Sequence, residues 1–372
     1  MANTLTALEP TLFTAAQQVS NEAFGVIDAV SADFNDQGVA IGDAVTVPIA
    51  PSRAASDFVP GVNTAQGADA SAEDVKVQIT KSRKVSWHLT GEQIRSLDNG
   101  ATSAEWIRQL VAQGMRTLRN EAEADCANSI KVGASRATGT AGTNPFSSNI
   151  NAMVDLRKIL RDNGAPLADM SLCFNSTSEA ALQKLAIIQQ ADQAGSPEER
   201  RSGNLNRQFG FALRTSAGLE LHTAGTGDSY QTNGVTAEGA RNIAVDTGTG
   251  TILDGDVVTI AGTQYVVNNG LDTGVIKIGR PGALAEISDN TAVELAADYT
   301  PILGFERSAV AAVMRPPIIP MNPTIQQLPI SDQEGMTYLL LDIAQYGQRT
   351  WELHLAWGFK VVQGEHVAIL LS

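Results

Sequence analysis

Residues 75–89, VKVQITKSRKVSWHL, alternate between two kinds of side chain along their whole length. The odd positions are Val75, Val77, Ile79, Lys81, Arg83, Val85, Trp87 and Leu89, and every even position is polar. A period of two residues is typical of a β-strand, because successive side chains point to opposite faces of a sheet. At about 3.3 Å per residue this strand would run about 50 Å, whereas ordinary strands have about 3–10 residues. The pattern therefore predicts one long strand that extends beyond its own domain.

A second alternating stretch, residues 39–49, precedes this strand and predicts its hairpin partner. Pro48 cannot donate a ladder hydrogen bond and favours an edge position. Residues 51–73 between the strands are rich in Ala, Ser, Gly and Asp, and loops of this length are commonly functional or mobile. We expect a long hairpin arm over residues 38–91. Lys81 and Arg83 interrupt its apolar face, so we expect the apolar ends to pack while the charged middle crosses a neighbouring subunit.

Residues 103–132 carry the longest helical pattern. Apolar side chains recur every three or four residues at Trp106, Ile107, Leu110, Val111, Met115, Leu118, Ala122, Cys126 and Ile130. Gly133 supplies a stop signal, and the helix would be about 40 Å long at 1.5 Å per residue. The apolar stripe contains no paired ligands, which indicates a packing surface.

Residues 149–187 alternate helix, strand and helix, with Ser176 as the expected cap of the second helix. A charged loop over 196–209 follows. Its charge run is Glu198, Glu199, Arg200 and Arg201. These four side chains suit ion pairs across subunits and a solvated surface equally well.

The composition changes near residue 223. Residues 223–300 are rich in Gly and Thr and carry short strand candidates at 241–246, 256–260, 264–267, 275–278 and 292–295. Turn signals between them predict a small barrel or sandwich inserted as its own module. The C-terminal part then predicts a strand over 351–361, paired with 338–346 around Gly347, and a last strand over 367–371. The fold class predicted is α+β.

The composition bounds what the chain does. It has 372 residues, of which 43% are hydrophobic, enough for two or three compact units. The net charge of −14 argues against a general nucleic-acid binder, which needs a basic face to displace counterions. The only two cysteines, Cys126 and Cys173, lie in apolar stretches and predict buried thiols in a reducing compartment. There is neither a secretory signal nor an apolar run of about 18 residues, so we expect a cytoplasmic protein without a membrane span.

No strong catalytic or nucleotide motif is present, and the four histidines are not spaced to share a metal. Glu121 and Asp125 are four residues apart on the long helix and are expected on a solvated face. Asp254 and Asp256 flank Gly255, where a calcium site and ordinary turn chemistry are both open. We therefore predict no catalytic residue, no cofactor and no metal ligand. The chain is not expected to be an enzyme.

The order of these parts resembles the major capsid proteins of tailed double-stranded DNA phages, which share the HK-ninety-seven-like fold. The stretches at 304–317 (GFERSAVAAVMRPP) and 335–371 are similar to the late-chain segments of that family. The segment LDGDVVTIAGTQYVVN, residues 253–268, is similar to the β-barrel inserted in one branch. The resemblance divides the chain into an N-terminal arm (1–37), an E-loop hairpin (38–91), the spine helix with the P/A-domain body (92–222), the inserted β-barrel-like domain (223–300) and the A/P-domain C-terminal sheet (301–372).

This resemblance implies a structural protein. It implies a subunit that self-assembles as hexamers and pentamers into an icosahedral shell, the virion capsid, around DNA that it encloses without sequence-specific binding. Assembly is expected in the host bacterial cytoplasm, away from membranes. The chain shows no long charged helical extension at its N-terminus, which implies a separate scaffolding protein beside the portal and, as an open partner, a decoration protein.

The candidate contacts between subunits come from the arm and the charged loop. They are Lys81, Arg83, Trp87, Glu198, Glu199, Arg200 and Arg201. Three other functions remain as alternatives: an encapsulin-like nanocompartment shell, a β-rich carbohydrate-binding surface protein, and a hydrolase that uses Asp254 or Asp256. A copurified enzyme cargo would favour the first of these, and a metal-dependent activity would favour the last.

Overall fold

The computed structural model describes residues 16, 24–34, 38–49, 73–99, 103–185, 207–320, 325–331 and 336–372. The part of the chain that it describes mixes helices and strands, as the α+β prediction requires. The helices longer than one turn are α1 (Gly91–Asn99), α2 (Ser103–Gly133), α3 (Asn151–Asp162) and α4 (Ser176–Gln183). None of its helices is both long and apolar enough to cross a membrane.

The strands fall into two large sheets and one small ribbon. In chain order they are β1 (Ser31–Phe34), β2 (Ala44–Ile49), β3 (Glu73–Gln78), β4 (Lys81–Thr90), β5 (Arg136–Thr138), β6 (Met170–Phe174), β7 (Arg207–Gln208), β8 (Phe211–Thr215), β9 (Tyr230–Thr232), β10 (Asn242–Asp246), β11 (Val257–Ile260), β12 (Thr263–Asp272), β13 (Val275–Ile278), β14 (Ala292–Leu295), β15 (Pro301–Glu306), β16 (Val310–Arg315), β17 (Ile325–Ser331), β18 (Thr337–Gln345), β19 (Gln348–Val361) and β20 (Val367–Leu371).

The first sheet is built around β19, the longest strand described. Its order is β1–β16–β19–β18–β17, and β4 pairs with β19 as well. β18 and β19 form an antiparallel hairpin that turns at Tyr346 and Gly347, which confirms the pairing predicted from the sequence. β4 runs antiparallel to β19, from Lys81 opposite Trp357 to Thr90 opposite Gln348.

The prediction of one continuous strand over residues 75–89 is wrong. The chain changes partners after Gln78: β3 pairs with β2 in a two-stranded ribbon, whereas β4 joins the first sheet. Ile79 donates a backbone hydrogen bond to Asp43, and Thr80 donates one to Trp357 of β19. The alternation of side chains runs through this corner, because Val77 and Ile79 are still buried on one side. Only the ribbon half of the predicted arm therefore lies outside the sheets, and residues 50–72 lie outside the described residues.

Helix α2 confirms the predicted long helix and its packing role. Its apolar stripe is buried to 1% exposure or less at Val111, Met115, Leu118, Ala122, Cys126 and Ile130. The stripe packs against Leu353, Leu355 and Trp357 of β19 in the main hydrophobic core. The helix ends at Gly133, where an added Cβ would collide with the side chain of Val361.

The second sheet forms the body of the chain. Its central strands run in the order β5–β20–β15–β6–β8–β7, and α3 and α4 cover them through a second core that includes Leu156, Leu182 and Phe211. The helix–strand–helix prediction for residues 149–187 is confirmed by α3, β6 and α4. The expected cap is off by one residue, because the side chain of Asn175, not Ser176, accepts the hydrogen bond from the Ser178 amide.

Six strands of the Gly- and Thr-rich segment pair in a closed ring. The order is β11–β14–β9–β10–β13–β12, and β12 pairs back onto β11. All five strand candidates are present, and β9 was missed because it has only three residues. The ring has its own core, yet Val257, Val266 and Tyr299 belong to the main core and β12 pairs with β5. This segment is therefore packed as part of the body.

Candidate functional site

The described residues contain no arrangement that suggests metal chemistry. No group of three or more His, Cys, Asp or Glu side chains among them could hold a metal ion. Asp254 accepts a hydrogen bond from the Gly270 amide at 2.6 Å, and Asp256 accepts one from the Leu253 amide at 2.6 Å. Both carboxylates accept hydrogen bonds from nearby backbone amides, and Asp256 also contacts Nε2 of His222, which favours turn and packing roles over a calcium site.

The two cysteines are inert parts of the core. Cys126 and Cys173 are free and fully buried, as the sequence predicts. Burial raises the pKa of both thiols well above the ordinary value, and the nearby charge of Glu123 raises it further. The nucleophilic thiolate is therefore strongly disfavoured at both positions.

The first polar cluster lies where β4 crosses α2. We call it the spine junction, and it comprises Lys81, Arg83, Glu121, Asp125 and Trp357. Lys81 Nζ lies 2.8 Å from Asp125 Oδ1, and Arg83 Nε lies 2.8 Å from Glu121 Oε1. The indole Nε1 of Trp357 donates to Asp125 Oδ2 at 2.8 Å. The carboxylates of the helix thus bind the strand that crosses it.

Glu121 and Asp125 are only partly solvated, because their side chains are 33% and 28% exposed and pair with cations of β4. Four residues of a helix rise about 6 Å, and two residues of a strand advance about 6.6 Å. Carboxylates four residues apart on the helix are therefore spaced like cations two residues apart on the strand that lies against it. Only the spatial neighbour reveals this match. Neither the helix nor the strand shows it alone.

The candidate contact residues occupy different environments. The side chains of Lys81 and Arg83 remain 41% and 56% exposed beside their intrachain partners. Trp87 packs against the main core and lies opposite Trp351 of β19. The charge run at 198–201 (Glu198, Glu199, Arg200 and Arg201) lies outside the described residues. Contact of these seven residues with a neighbouring subunit stays a prediction.

The role of Asp125 in the spine junction can be tested by substitution. We expect Asp125→Ala to lower the free energy of unfolding by about 2–3 kcal/mol, because the buried indole N–H of Trp357 loses its acceptor. Asp125→Asn retains an acceptor oxygen and should cost less. Arg83→Ala removes only an exposed ion pair and should cost less than about 1 kcal/mol. Urea unfolding of unassembled subunits measures all three, and equal losses for Asp125→Ala and Arg83→Ala would contradict this role of Asp125.

The second cluster ties the N-terminal segment to α2. We call it the arm anchor, and it comprises Val26, Ile27, Asp28, Arg119 and Glu123. Glu123 Oε1 accepts from the Val26 amide at 2.8 Å, and Oε2 accepts from the Ile27 amide at 2.9 Å. Arg119 Nη2 lies 3.0 Å from Asp28 Oδ1. Both α2 side chains are buried, so the anchor fixes the end of the arm inside the fold.

The arm anchor was missed in the sequence. Arg119 and Glu123 are four residues apart beside the apolar stripe, which is also the pattern of an ordinary exposed helix pair. Burial comes from the arm residue Phe24, whose ring lies 4.2 Å from the guanidinium carbon of Arg119. That contact joins positions almost a hundred residues apart and leaves no local pattern.

The third cluster connects α2 to the strand ring. Lys131 Nζ lies 3.0 Å from Nδ1 of His222, and Nε2 of His222 lies 2.8 Å from Asp256 Oδ1. Burial lowers the pKa of Lys131, and the charge of Asp256 opposes that decrease. The three side chains are buried and link the helix, the entry to the ring and the turn before β11. Since His222 and Asp256 are 34 residues apart, sequence spacing did not reveal this link.

His354 on β19 makes the stability of the subunit depend on pH. Burial lowers the pKa of His354, and its hydrogen bond to Glu352 only partly opposes this. The folded chain therefore holds fewer protons than the unfolded chain, and this contribution to stability is lost as the pH falls below the ordinary value of 6.5.

We expect His354→Gln to flatten the decrease in unfolding free energy between about pH 7.5 and about pH 5.5. Urea unfolding of unassembled subunits at a series of pH values measures it. An unchanged slope in the variant would assign the pH dependence to other groups.

Comparison with known proteins identifies the fold. No family model matches the chain, and no curated protein matches its sequence. The capsid structure of the Cyanophage P-SCSP1u is similar, with a TM-score of 0.50 and 12% identity over 94% of this chain and 88% of that chain. The chain has the fold of a phage capsid protein. Also similar are the capsid of an empty GTA particle (TM-score 0.48, 12% identity, 94% and 90% covered) and the mature capsid of bacteriophage PhiM1 (TM-score 0.47, 9% identity, 93% and 86% covered).

The three clusters share one place in this capsid fold. Each joins α2 to a different part: the crossing strand β4, the end of the N-terminal arm, or the strand ring. Helix α2 is therefore the element that sets the relative positions of the parts. The arrangement can hold these parts in fixed relative positions.

Proposed function

We propose that the chain is a major capsid protein that self-assembles as hexamers and pentamers into the icosahedral shell of a tailed phage, enclosing its double-stranded DNA. The observation that carries this proposal is the likeness to the cyanophage capsid, which spans nearly the whole of both chains. A structural role without catalysis is in keeping with the inert cysteines and the carboxylates engaged in loops.

We infer the following assignment of the parts of the chain to the HK-ninety-seven-like plan. Helix α2 with the first sheet would be the spine and P-domain, and the body sheet with α3 and α4 would be the A-domain. The ribbon of β2 and β3, with residues 50–72 between its strands, would be the E-loop. The closed ring of β9–β14 would be the inserted barrel, and the predicted boundaries at 223 and 300 enclose it.

This arrangement supports assembly because it combines a rigid part with an adaptable part. A subunit that fits both six-fold and five-fold positions needs a rigid body together with arms that adapt to each neighbour. The clusters along α2 supply the rigid body. The base of the ribbon packs on that body, because Val77 and Ile79 share one hydrophobic cluster with Val313 and Ala356 of the first sheet. The part that adapts to a neighbour would be the ribbon beyond this base. Permanent shells bury thousands of Å² for each subunit, which the arm, the ribbon and the charge run at 198–201 would provide.

Further partners follow from the same proposal. A separate scaffolding protein would direct the curvature, a portal would occupy one vertex, and a decoration protein remains an open partner. Assembly would take place in the cytoplasm of the bacterial host. The surplus of acidic side chains suits a container that does not adhere to its DNA.

Sedimentation and negative-stain microscopy of the purified full-length chain test the function. The chain is expressed once alone and once with its neighbouring reading frames, which would supply a scaffold. Closed particles tens of nanometres across are the expected result in at least one of the two conditions. Subunits that stay monomeric in both conditions would contradict the proposal.

A further inference from the structure

A basic pocket lies where the ribbon, helix α2, the strand ring and β19 meet. Its volume is about 560 Å³, and its lining includes Lys76 of β3, Arg241 and Lys277 of the ring, Arg280, and Lys360 of β19. Among the residues that the structure describes, no carboxylate contributes to the lining. We call these five cations and the space between them the basic pocket.

This concentration of positive charge is unusual for the chain. The protein has 26 basic and 40 acidic residues, yet five of the basic ones converge here. Within the described ranges none of the five forms an ion pair. Lys360 Nζ donates to the Lys76 carbonyl at 3.3 Å, and Arg241 Nε donates to the Ile278 carbonyl at 3.2 Å. Like charges brought together repel one another, and five cations face one nearby carboxylate, Glu365, that acts on Arg241.

The groups around the pocket do not neutralise its positive charge, so a ligand can do so. Burial lowers the pKa of Arg241, the charge of Arg280 lowers it further, and Glu365 opposes both. Glu365 does not line the pocket, and its buried Oε2 has no hydrogen-bond partner in the described structure. The lining residue Asn268 likewise has an unpaired buried Oδ1. Both unpaired oxygens are acceptors, which a carboxylate could not satisfy, so the case for an anionic occupant rests on the five cations.

We propose that the basic pocket receives carboxylate side chains from a second copy of this chain in the assembled shell. This inference rests on the proposed function. Arginine presents a fork that matches a carboxylate, and lysine adds a point charge, so the lining suits one or two Asp or Glu side chains. Every other copy brings a surplus of acidic side chains, 40 against 26 basic ones. The charges of two copies are therefore complementary at this point.

The same observations argue against nucleic acid as the occupant. The lining contains no aromatic side chain on which a base could stack. The cations surround a small cavity and form no extended track along which a phosphate backbone could run.

An occupied pocket would also act on the subunit that holds it. Lys76 belongs to the ribbon, Lys277 to the ring and Lys360 to the first sheet, so an acidic side chain bound in the pocket would attract cations from three parts of the subunit. Docking of a neighbour would then add to the contacts that already hold the ribbon against the body. The contact would weaken with increasing salt, as expected for partly exposed charges.

Cross-linking in shells of mixed isotopic composition tests this contact. Subunits labelled with nitrogen-15 are mixed with unlabelled subunits before assembly, and a zero-length carbodiimide then joins lysine amines to carboxylates in contact. We expect peptides that join Lys76, Lys277 or Lys360 of one isotope to an Asp or Glu of the other. These should occur in assembled shells and be absent from dissociated subunits. If these lysines yield no mixed-isotope peptides in intact shells, the proposal is overturned.

A charge-removal variant tests the contribution to assembly. We expect Lys277→Gln/Arg280→Gln to raise the concentration needed for half-maximal assembly by about tenfold or more and to flatten its dependence on NaCl. The unassembled variant should melt at the same or a higher temperature than the original chain, because repulsion has been removed. Lys158→Gln/Arg161→Gln on α3 removes the same charge elsewhere and should assemble normally.

The other outcomes overturn the inference in distinct ways. A pocket variant that assembles like the original chain but retains less DNA would assign the pocket to nucleic acid. A pocket variant that matches the original chain in both assembly and DNA content would show that the pocket binds no anion in the shell. If the original chain itself forms no particles, the proposed shell function is wrong, and this inference, which rests on it, is wrong as well.

Discussion

Replacing Gly358 with alanine is expected to separate the ribbon from the body and to lower the free energy of unfolding by about 2–4 kcal/mol. Gly358 lies on β19 where the chain turns from β3 into β4. A Cβ added there would overlap the carbonyl oxygen of Gln78 and stand 2.8 Å from its carbonyl carbon and 3.0 Å from Cα of Ile79. These are backbone atoms of the corner, so the clash cannot be relieved by turning a side chain.

Gly91→Ala is the matched control for this substitution. Gly91 begins α1 with an ordinary backbone conformation, and an added Cβ there meets no atom within 4 Å. It should be neutral or slightly stabilising, because alanine loses less conformational freedom on folding. Urea unfolding of unassembled subunits measures both variants. Equal stabilities would show that the corner tolerates a side chain and that β3 is not held against β19.

Replacing Glu123 with alanine is expected to lower the free energy of unfolding by about 3–5 kcal/mol. Glu123 is 2% exposed and accepts hydrogen bonds from the amides of Val26 and Ile27 and from the hydroxyl of Ser216 at 2.6 Å. Alanine would leave these buried donors without their acceptor and would remove the carboxylate from the neighbourhood of the buried Arg119. The end of the N-terminal arm should therefore detach before the body unfolds.

Two further variants of α2 sharpen the test of the arm anchor. Glu123→Gln keeps one acceptor oxygen and should lie between the original chain and the alanine variant. Glu121→Ala removes a half-buried carboxylate two residues away and should cost less than about 1 kcal/mol. Hydrogen exchange at Val26 and Ile27 reports the arm directly. Full protection of these amides in Glu123→Ala would contradict the proposed role of Glu123.

The elements that the sequence predicted correctly are those with a local pattern. The stripe of α2 recurs every three or four residues, and the hairpin of β18 and β19 alternates on both sides of a glycine turn. Such patterns arise because one face of each element is buried, whatever lies against it. Helix α2 was therefore predicted to within one residue, and five of the six ring strands were predicted, although β9 was missed and β12 extends five residues beyond its predicted end.

The predictions that failed concern which elements of the chain pack against each other. Alternation continues through Ile79 and Thr80, so nothing local indicates that the chain leaves the ribbon there and joins β19. The helical pair of Glu121 and Asp125 has the spacing of a solvated pair until β4 is laid across it. The basic pocket draws cations from the ribbon, the ring and β19, which are up to 284 residues apart. Partners at such separations depend on the tertiary fold, and periodicity carries no information about them.

Single-particle cryo-electron microscopy of the assembled full-length chain tests the central claim most directly. We expect a closed icosahedral shell in which this chain fills every position of the hexamers and pentamers, with α2 in the same place in each subunit. A stable monomer, or an oligomer that closes without five-fold vertices, would contradict the claim that the chain is the shell subunit of a phage capsid.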